Sequence, residues 1–208
     1  MSEKRERRSA VATGRGDDGT TDLLYGRTRI YKDDPRTEAY GAVDEAVAAL
    51  GMARAELSLK AQYGTLPRVL DALPDMILRF QRDLFVAGAQ LATAPDAVAR
   101  QVAGQTRVTA EMVATLDRIL AEVESSIQIP REFVVPGETR LSAALEMART
   151  VVRRAERRAV SVMRAEPIPD DRLVPYLNRL ADLLWIFARA AEHGESRNYT
   201  PASPGRSR

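Results

Sequence analysis

Apolar residues recur at intervals of three and four along five stretches of the chain, and each stretch predicts a helix. The first opens at Asp33-Asp34-Pro35 and is expected to run to about Lys60. Ala39, Val43, Val47, Leu50 and Ala53 form its apolar side, with Tyr40, Asp44 and Glu45 in a polar patch. Proline suits that opening, because the first turn of a helix has no partner for an N–H there. The second is expected from Leu66 or Pro67 to about Ala92, with Pro74 bending or splitting its first turns. Its stripe is Met76, Ile77, Phe80, Leu84, Ala87 and Leu91. A third covers Thr109 to about Ile127 through Val113, Leu116, Ile119, Leu120 and Val123, and Ile129-Pro130 ends it.

The fourth follows a Pro136-Gly137 turn and takes Thr139 as its N-cap. It carries Leu141, Leu145, Ala148, Val152, Ala155 and Ala159 on one side. Pro167 and Pro169 separate it from the fifth, Asp171 to His193, whose core side is Leu173, Leu177, Leu180, Leu184, Phe187 and Ala191. Gly194 stands where a helix commonly ends. Residues 93–108 read as a loop, and residues 1–12 and 195–208 as disordered tails. The folded domain is therefore expected over 13–194, an all-α bundle of five helices within 35–194 behind a structured loop at 13–26.

Composition narrows the chemistry this bundle can perform. A chain of 208 residues is one domain by length, and it contains no cysteine, which excludes disulfides and thiolate metal sites. The one histidine, His193, lies in the last turn of the fifth helix, so no histidine-based metal cluster or catalytic histidine is expected. No apolar run reaches the roughly 18–20 residues of a membrane span. Lys4, Arg5, Arg7 and Arg8 have no apolar segment behind them, so the start does not read as a secretory signal, and Glu3 and Glu6 weigh against a transit peptide. A formal charge of +2 with 5% aromatic residues argues against nucleic acid. The absence of cysteine fits a reducing compartment, and the cytoplasm is the expected location.

Two segments carry more polar chemistry than a bundle needs. Six of the ten residues from Arg149 to Arg158 are charged, five of them arginines. At about 100° per residue, Arg149, Arg153 and Glu156 share a narrow stripe with Arg157 beside it. One reading is a solvated face balanced by Glu156. The other is an anion site, because like charges a turn apart weaken a helix and arginine forks suit phosphate and carboxylate. The second segment, Thr13 to Gly26, holds four glycines and three threonines in fourteen residues. Such a loop can turn successive N–H groups toward an anion, or simply be a polar surface loop. It has neither the Walker nor the dinucleotide spacing. Its Asp17, Asp18 and Asp22 would repel phosphate unless they turn away, cap backbone donors or hold a metal through water.

Four blocks in order resemble the PduO-type ATP:cob(I)alamin adenosyltransferases, also called ATP:corrinoid adenosyltransferases. They are T-G-R-G-D-D-G-T-T (13–21), K-D-D-P-R-T-E-A-Y-G-A-V-D-E (32–45), F-V-V-P-G…A-R-T-V-V-R-R-A-E-R-R (133–158) and Y-L-N-R-L-A-D (176–182). The resemblance implies a ferritin-like five-helix bundle that forms a homotrimer, with active sites between neighbouring subunits. It implies transfer of the 5′-deoxyadenosyl group of ATP to the cobalt of a reduced corrinoid, with release of triphosphate. By the same resemblance Thr13, Gly14, Arg15, Gly16, Thr21 and Asp22 form the ATP loop and Lys32 contacts phosphate. Arg153, Arg154, Glu156 and Arg157 form a second ATP segment, and Asn178 a later ATP contact. Asp44 and Arg149 match a pair bridging two subunits beside the corrinoid, and Phe133 the aromatic that displaces its lower base.

The first block departs from the family pattern, which usually reads like T-K-T-G-D-K-G. Gly14 and Asp18 stand at its lysines, Arg15 at a threonine, and Val11-Ala12 where an aromatic usually precedes it. The implied reaction asks for positioning and charge neutralisation rather than acid–base work, which suits a chain without cysteine and with one histidine. Mg²⁺ is the expected metal on the ATP phosphates, and a reductase or a cobalamin-dependent acceptor enzyme the expected partner. A ferritin-like di-iron centre is excluded, since it needs Glu-x-x-His motifs. Two other readings stay open. One is an ATP- or corrinoid-binding carrier or paralogue with weak or no turnover, favoured by Gly14–Asp18. The other is a structural bundle whose arginine stripe is a subunit interface.

Overall fold

The computed structural model describes residues 11–63, 70–167 and 171–202. Five α-helices appear among them: α1 (Pro35–Gln62), α2 (Leu73–Ala92), α3 (Ala110–Ser126), α4 (Arg140–Ala165) and α5 (Leu173–Gly194). α4 packs along both α1 and α5, α2 lies on α1, and α3 on α5. One apolar core runs through all five, and Leu50, Phe80, Leu84, Leu141, Leu145, Leu177 and Leu184 are fully buried in it. Among the described residues no helix is long and apolar enough to cross a membrane.

Local chemistry sets the helix ends. Asp34 caps α1 by accepting from the Arg36 N–H at 2.8 Å, with Pro35 in the first turn. Thr139 caps α4 reciprocally: its hydroxyl accepts from Ser142 N–H at 3.0 Å, and Ser142 Oγ accepts from Thr139 N–H at 3.2 Å. Thr139→Ala is expected to lower stability by about 1 kcal/mol in urea unfolding, with Thr139→Ser close to the parent. An unchanged midpoint in Thr139→Ala would mean that the cap is not stabilising.

Several expected boundaries move. Pro74 opens α2 instead of bending it, because the helix begins at Leu73; the expected start at Leu66 or Pro67 lies outside the described residues. The loop at 93–108 contains a 3₁₀ turn, Pro95–Arg100. Buried Gln90 orders that region by accepting from Val108 N–H at 2.8 Å and donating to Asp171 at 2.6 Å. Gly194 is the last residue of α5 rather than the residue beyond it, and the left-handed backbone falls at Ser196, φ 54°.

The expected tail after Glu195 is ordered as far as the structure describes it. Thr200–Pro201 (β4) pairs antiparallel with Val134–Val135 (β3), and Ala202 N–H donates to the Phe133 carbonyl at 2.8 Å. Backbone bonds hold this pairing, and it leaves no mark in the hydrophobic period. A hairpin, Thr20–Asp22 (β1) against Arg29–Tyr31 (β2), sits in front of α1 where a structured loop was expected. Leu24 ties it to the end of α2 through Ala92 and Ala94. At that same end buried Arg36 donates to the carbonyls of Leu91 (2.7 Å) and Thr93 (3.0 Å) and pairs with Glu166. The start of α1 and the turn of the hairpin therefore meet the end of α2, and the start of α1 also meets the end of α4.

Candidate functional site

The loop before α1 is a cross-linked unit. Asp18 accepts from both the N–H (2.9 Å) and the hydroxyl (2.8 Å) of Thr20. These bonds, led by the hydroxyl and helped by Arg29, hold its carboxyl below the usual range. Arg15 pairs with Asp22 at 3.1 Å, and Lys32 donates to the Gly16 carbonyl at 2.6 Å. A β-carbon at Gly16 would lie 2.7 Å from Lys32 Nζ, so a side chain there would displace the lysine from the Gly16 carbonyl. Gly14 adopts φ +71°, which side chains resist. Thr13 is exposed, its hydroxyl accepting from Arg15 N–H at 3.4 Å, and Thr21 is half-buried in β1. Asp18 thus caps a backbone donor, one of the alternatives foreseen for the loop's acids, whereas Asp22 pairs with arginines, which was not foreseen. Arg29, unforeseen, lies across the whole loop with its side chain 30% exposed.

The charged run of α4 divides between two neighbours. Arg154 and Arg158 face α1 and pair with Glu45 and Glu38. Glu156 turns toward α5, where its carboxylate accepts from Asn178 Nδ2 at 3.2 Å. Arg153 and Arg157 are exposed on α4, and among the described residues neither meets a carboxylate; Arg157 donates to the Arg153 carbonyl at 3.0 Å. Two arginines left without acids beside a Glu–Asn pair make an anion-ready face. No hydrogen bond or ion pair among the described residues joins this face to the loop at 13–22 or to Lys32.

Asp44 and Arg149 do not pair within the chain. Asp44 borders a groove of about 470 Å³ between α1 and α2, beside Tyr40, Phe85 and Gly88. Arg149 turns to the α4–α5 side and donates through Nε to Glu146 at 2.6 Å. Glu146 meets Arg189 at 3.3 Å, and Arg189 meets Glu192 at 2.8 Å; all three side chains are under 5% exposed. Burial pushes the Glu192 carboxyl up, opposed by Arg189. Arg189 also stacks 5.6 Å over Trp185, and its buried Nε and Nη1 have no hydrogen-bond partner among the described residues.

Arg189 and Glu192 form part of the wall of a cavity of about 660 Å³, with Arg131, His193, Arg197 and Tyr199. Its wall residues Arg131 and Tyr199 stand close in sequence to the paired β3 and β4; Phe133 does not line it, and its side chain is 89% exposed while its carbonyl accepts from Ala202. This cavity, the Glu146–Arg189–Glu192 chain and Arg29 were all missed in the sequence. The signal for Arg29 was its opposite charge to Asp22 across the Gly26 turn. The others draw on the ordered segment after Glu195 and on contacts between separate helices.

Among the described residues no group of three or more acids and histidines can hold a metal, and Asp18 and Asp22 are already engaged.

The family model for cobalamin adenosyltransferase matches residues 11–191. A corrinoid adenosyltransferase of Citrobacter freundii is 36% identical over 182 residues, 88% of this chain and 94% of that protein. One from Mycobacterium tuberculosis is 38% identical over 182 residues, 87% of this chain and 88% of the other. A variant PduO-type ATP:corrinoid adenosyltransferase from Lactobacillus reuteri, complexed with cobalamin and ATP, superposes with a TM-score of 0.77 at 29% identity, covering 92% of this chain and 98% of that one. With residues 11–191 matched by the family model and relatives above 30% identity covering most of both chains, the chain belongs to the PduO-type cobalamin adenosyltransferase family.

Proposed function

We infer that this protein transfers the 5′-deoxyadenosyl group of ATP to the Co(I) centre of a reduced corrinoid. The observation that carries the reading is the exposed Arg153–Arg157 pair, without acids, beside Glu156 and Asn178. The family's relatives are named for this activity, and the Lactobacillus protein is complexed with cobalamin and ATP. Co(I) attacks the ribose C5′ with its electron pair, the Co–C bond forms, the C5′–O bond breaks, and triphosphate leaves with the bonding pair. The protein holds cobalt in line with C5′ and neutralises the departing charge.

Thr13, Gly14, Arg15, Gly16, Thr21, Asp22 and Lys32 wrap the triphosphate, and Arg153, Arg154, Glu156, Arg157 and Asn178 hold the nucleotide from α4 and α5. Magnesium on the phosphates supplies further charge neutralisation. The cavity walled in part by Arg131 and Tyr199 offers both donors and a carboxylate, which suits the amide-fringed rim of a corrin, and Phe133 covers the face vacated by the lower base. Among the described residues no hydrogen bond or ion pair joins the loop to the arginine face, and Asp44 and Arg149 face different sides. Both facts favour a ferritin-like five-helix bundle assembled as a homotrimer, with each site shared and Asp44 reaching the Arg149 of a neighbour. The cytoplasm remains the proposed location and a reductase the proposed partner.

Purified protein with ATP, Mg²⁺ and chemically reduced cobalamin is expected to develop the adenosylcobalamin spectrum. No spectral change together with binding of neither ligand would overturn the reading. Binding of both without turnover would favour the carrier, the second reading that Gly14 and Asp18 support.

A further inference from the structure

We propose that Arg29, which lies outside the four sequence blocks, is the positioning residue of the ATP loop, an inference that rests on the function just given. Its guanidinium makes more bonds than any other group in the loop. Nε donates to Thr20 Oγ1 at 2.7 Å, Nη2 to the carbonyls of Arg15 (2.6 Å) and Thr20 (3.0 Å), and Nη1 to Asp22 at 3.3 Å. Asp18 lies 3.6 Å away as a further acidic partner. A lysine ammonium cannot span these positions, whereas a planar fork of five donors can.

Two consequences follow for a bound triphosphate. A trans peptide turns its N–H opposite to its carbonyl, so drawing the Arg15 carbonyl inward aims the Gly16 N–H outward, toward an anion. The second concerns charge. Asp22 Oδ2 is shared by Arg15 at 3.1 Å and Arg29 at 3.3 Å, but the two arginines are held differently. The Arg15 side chain is 74% exposed and has Asp22 as its one side-chain partner among the described residues, while that of Arg29 is 30% exposed and anchored on several sides. Arg15 is thus the exchangeable cation. When it leaves Asp22 for phosphate, Arg29 keeps that carboxylate and Asp18 neutralised. Loop acids that would otherwise repel the nucleotide are tolerated because this second arginine stays behind.

The test measures steady-state kinetics and ATP titration on the full chain and its Arg29→Ala and Arg29→Lys variants. In Arg29→Ala the ATP KM and Kd are expected to rise about tenfold, while corrinoid KM and kcat at saturating ATP stay within about twofold. Its melting temperature should hold, since the hairpin lies outside the helical core. Arg29→Lys is expected to recover less than about half of the lost affinity, because it restores charge without the fork. An ATP KM within twofold of the parent in Arg29→Ala overturns the proposal. So does full recovery in Arg29→Lys, which would make Arg29 a bulk charge. Equal losses for both substrates, or a lowered melting temperature, would make it a structural residue and also overturn it. A parent protein that forms no adenosylcobalamin refutes the functional reading instead, a result separable from all of these.

Discussion

Phe133→Ala is expected to lower kcat with complete cobalamin by about a hundredfold, equivalent to about 2.7 kcal/mol of barrier, while leaving ATP affinity unchanged. An aromatic side chain 89% exposed contributes little to the core, so its removal should not unfold the protein. Its backbone is pinned by Ala202 and the β3–β4 pairing, which presents the ring from a fixed strand. In the proposed role the ring occupies the space of the lower axial base, and cobalt left without that ligand is easier to reduce to Co(I). Alanine would let the base return. A corrinoid that lacks the lower base has nothing to return, and with it the loss should shrink to a few-fold. Equal losses on the two corrinoids would remove this role from Phe133.

Arg153→Ala is expected to weaken ATP binding about tenfold and to lower kcat/KM for ATP by about a hundredfold, since charge on the departing triphosphate exceeds that in the ground state. Arg153 is exposed and meets no carboxylate among the described residues, so what the substitution removes is a cation facing solvent or ligand. Arg158→Ala is the control. Arg158 belongs to the same charged run, but it faces α1 and pairs with Glu38 at 3.9 Å, and its loss should change ATP affinity by less than about twofold. Unchanged affinity in Arg153→Ala would reassign that arginine. Equal effects in both variants would mean that net charge matters and position does not.

The helices were legible because their signals are local. Spacings of three and four located α1, α4 and α5 to within a few residues, Thr139 announced the cap of α4, and Asp33-Asp34-Pro35 the opening of α1. The stripe of Arg149, Arg153 and Glu156 was legible for the same reason, since a helix converts spacing into direction. Partners across the fold were not. Arg154 shares the run with Arg153, yet its acid is Glu45, more than a hundred residues away on another helix. The β3–β4 pairing rests on backbone groups that every residue carries, so Thr200 and Pro201 gave no sign of it. Asp18 looked like a charge in the wrong place. Only the fold reveals that it grips the hydroxyl and N–H of Thr20.

Trp185, the one tryptophan in the sequence, has the Arg189 guanidinium over its ring, and Arg189 forms part of the cavity wall with Arg131 and Tyr199. Corrinoids absorb in the near ultraviolet, where indole emits. The protein therefore carries an intrinsic donor for resonance energy transfer next to the proposed acceptor. Arrival of the corrinoid can be followed as quenching of its own fluorescence, without a label, separately from the slower colour change that marks adenosylation.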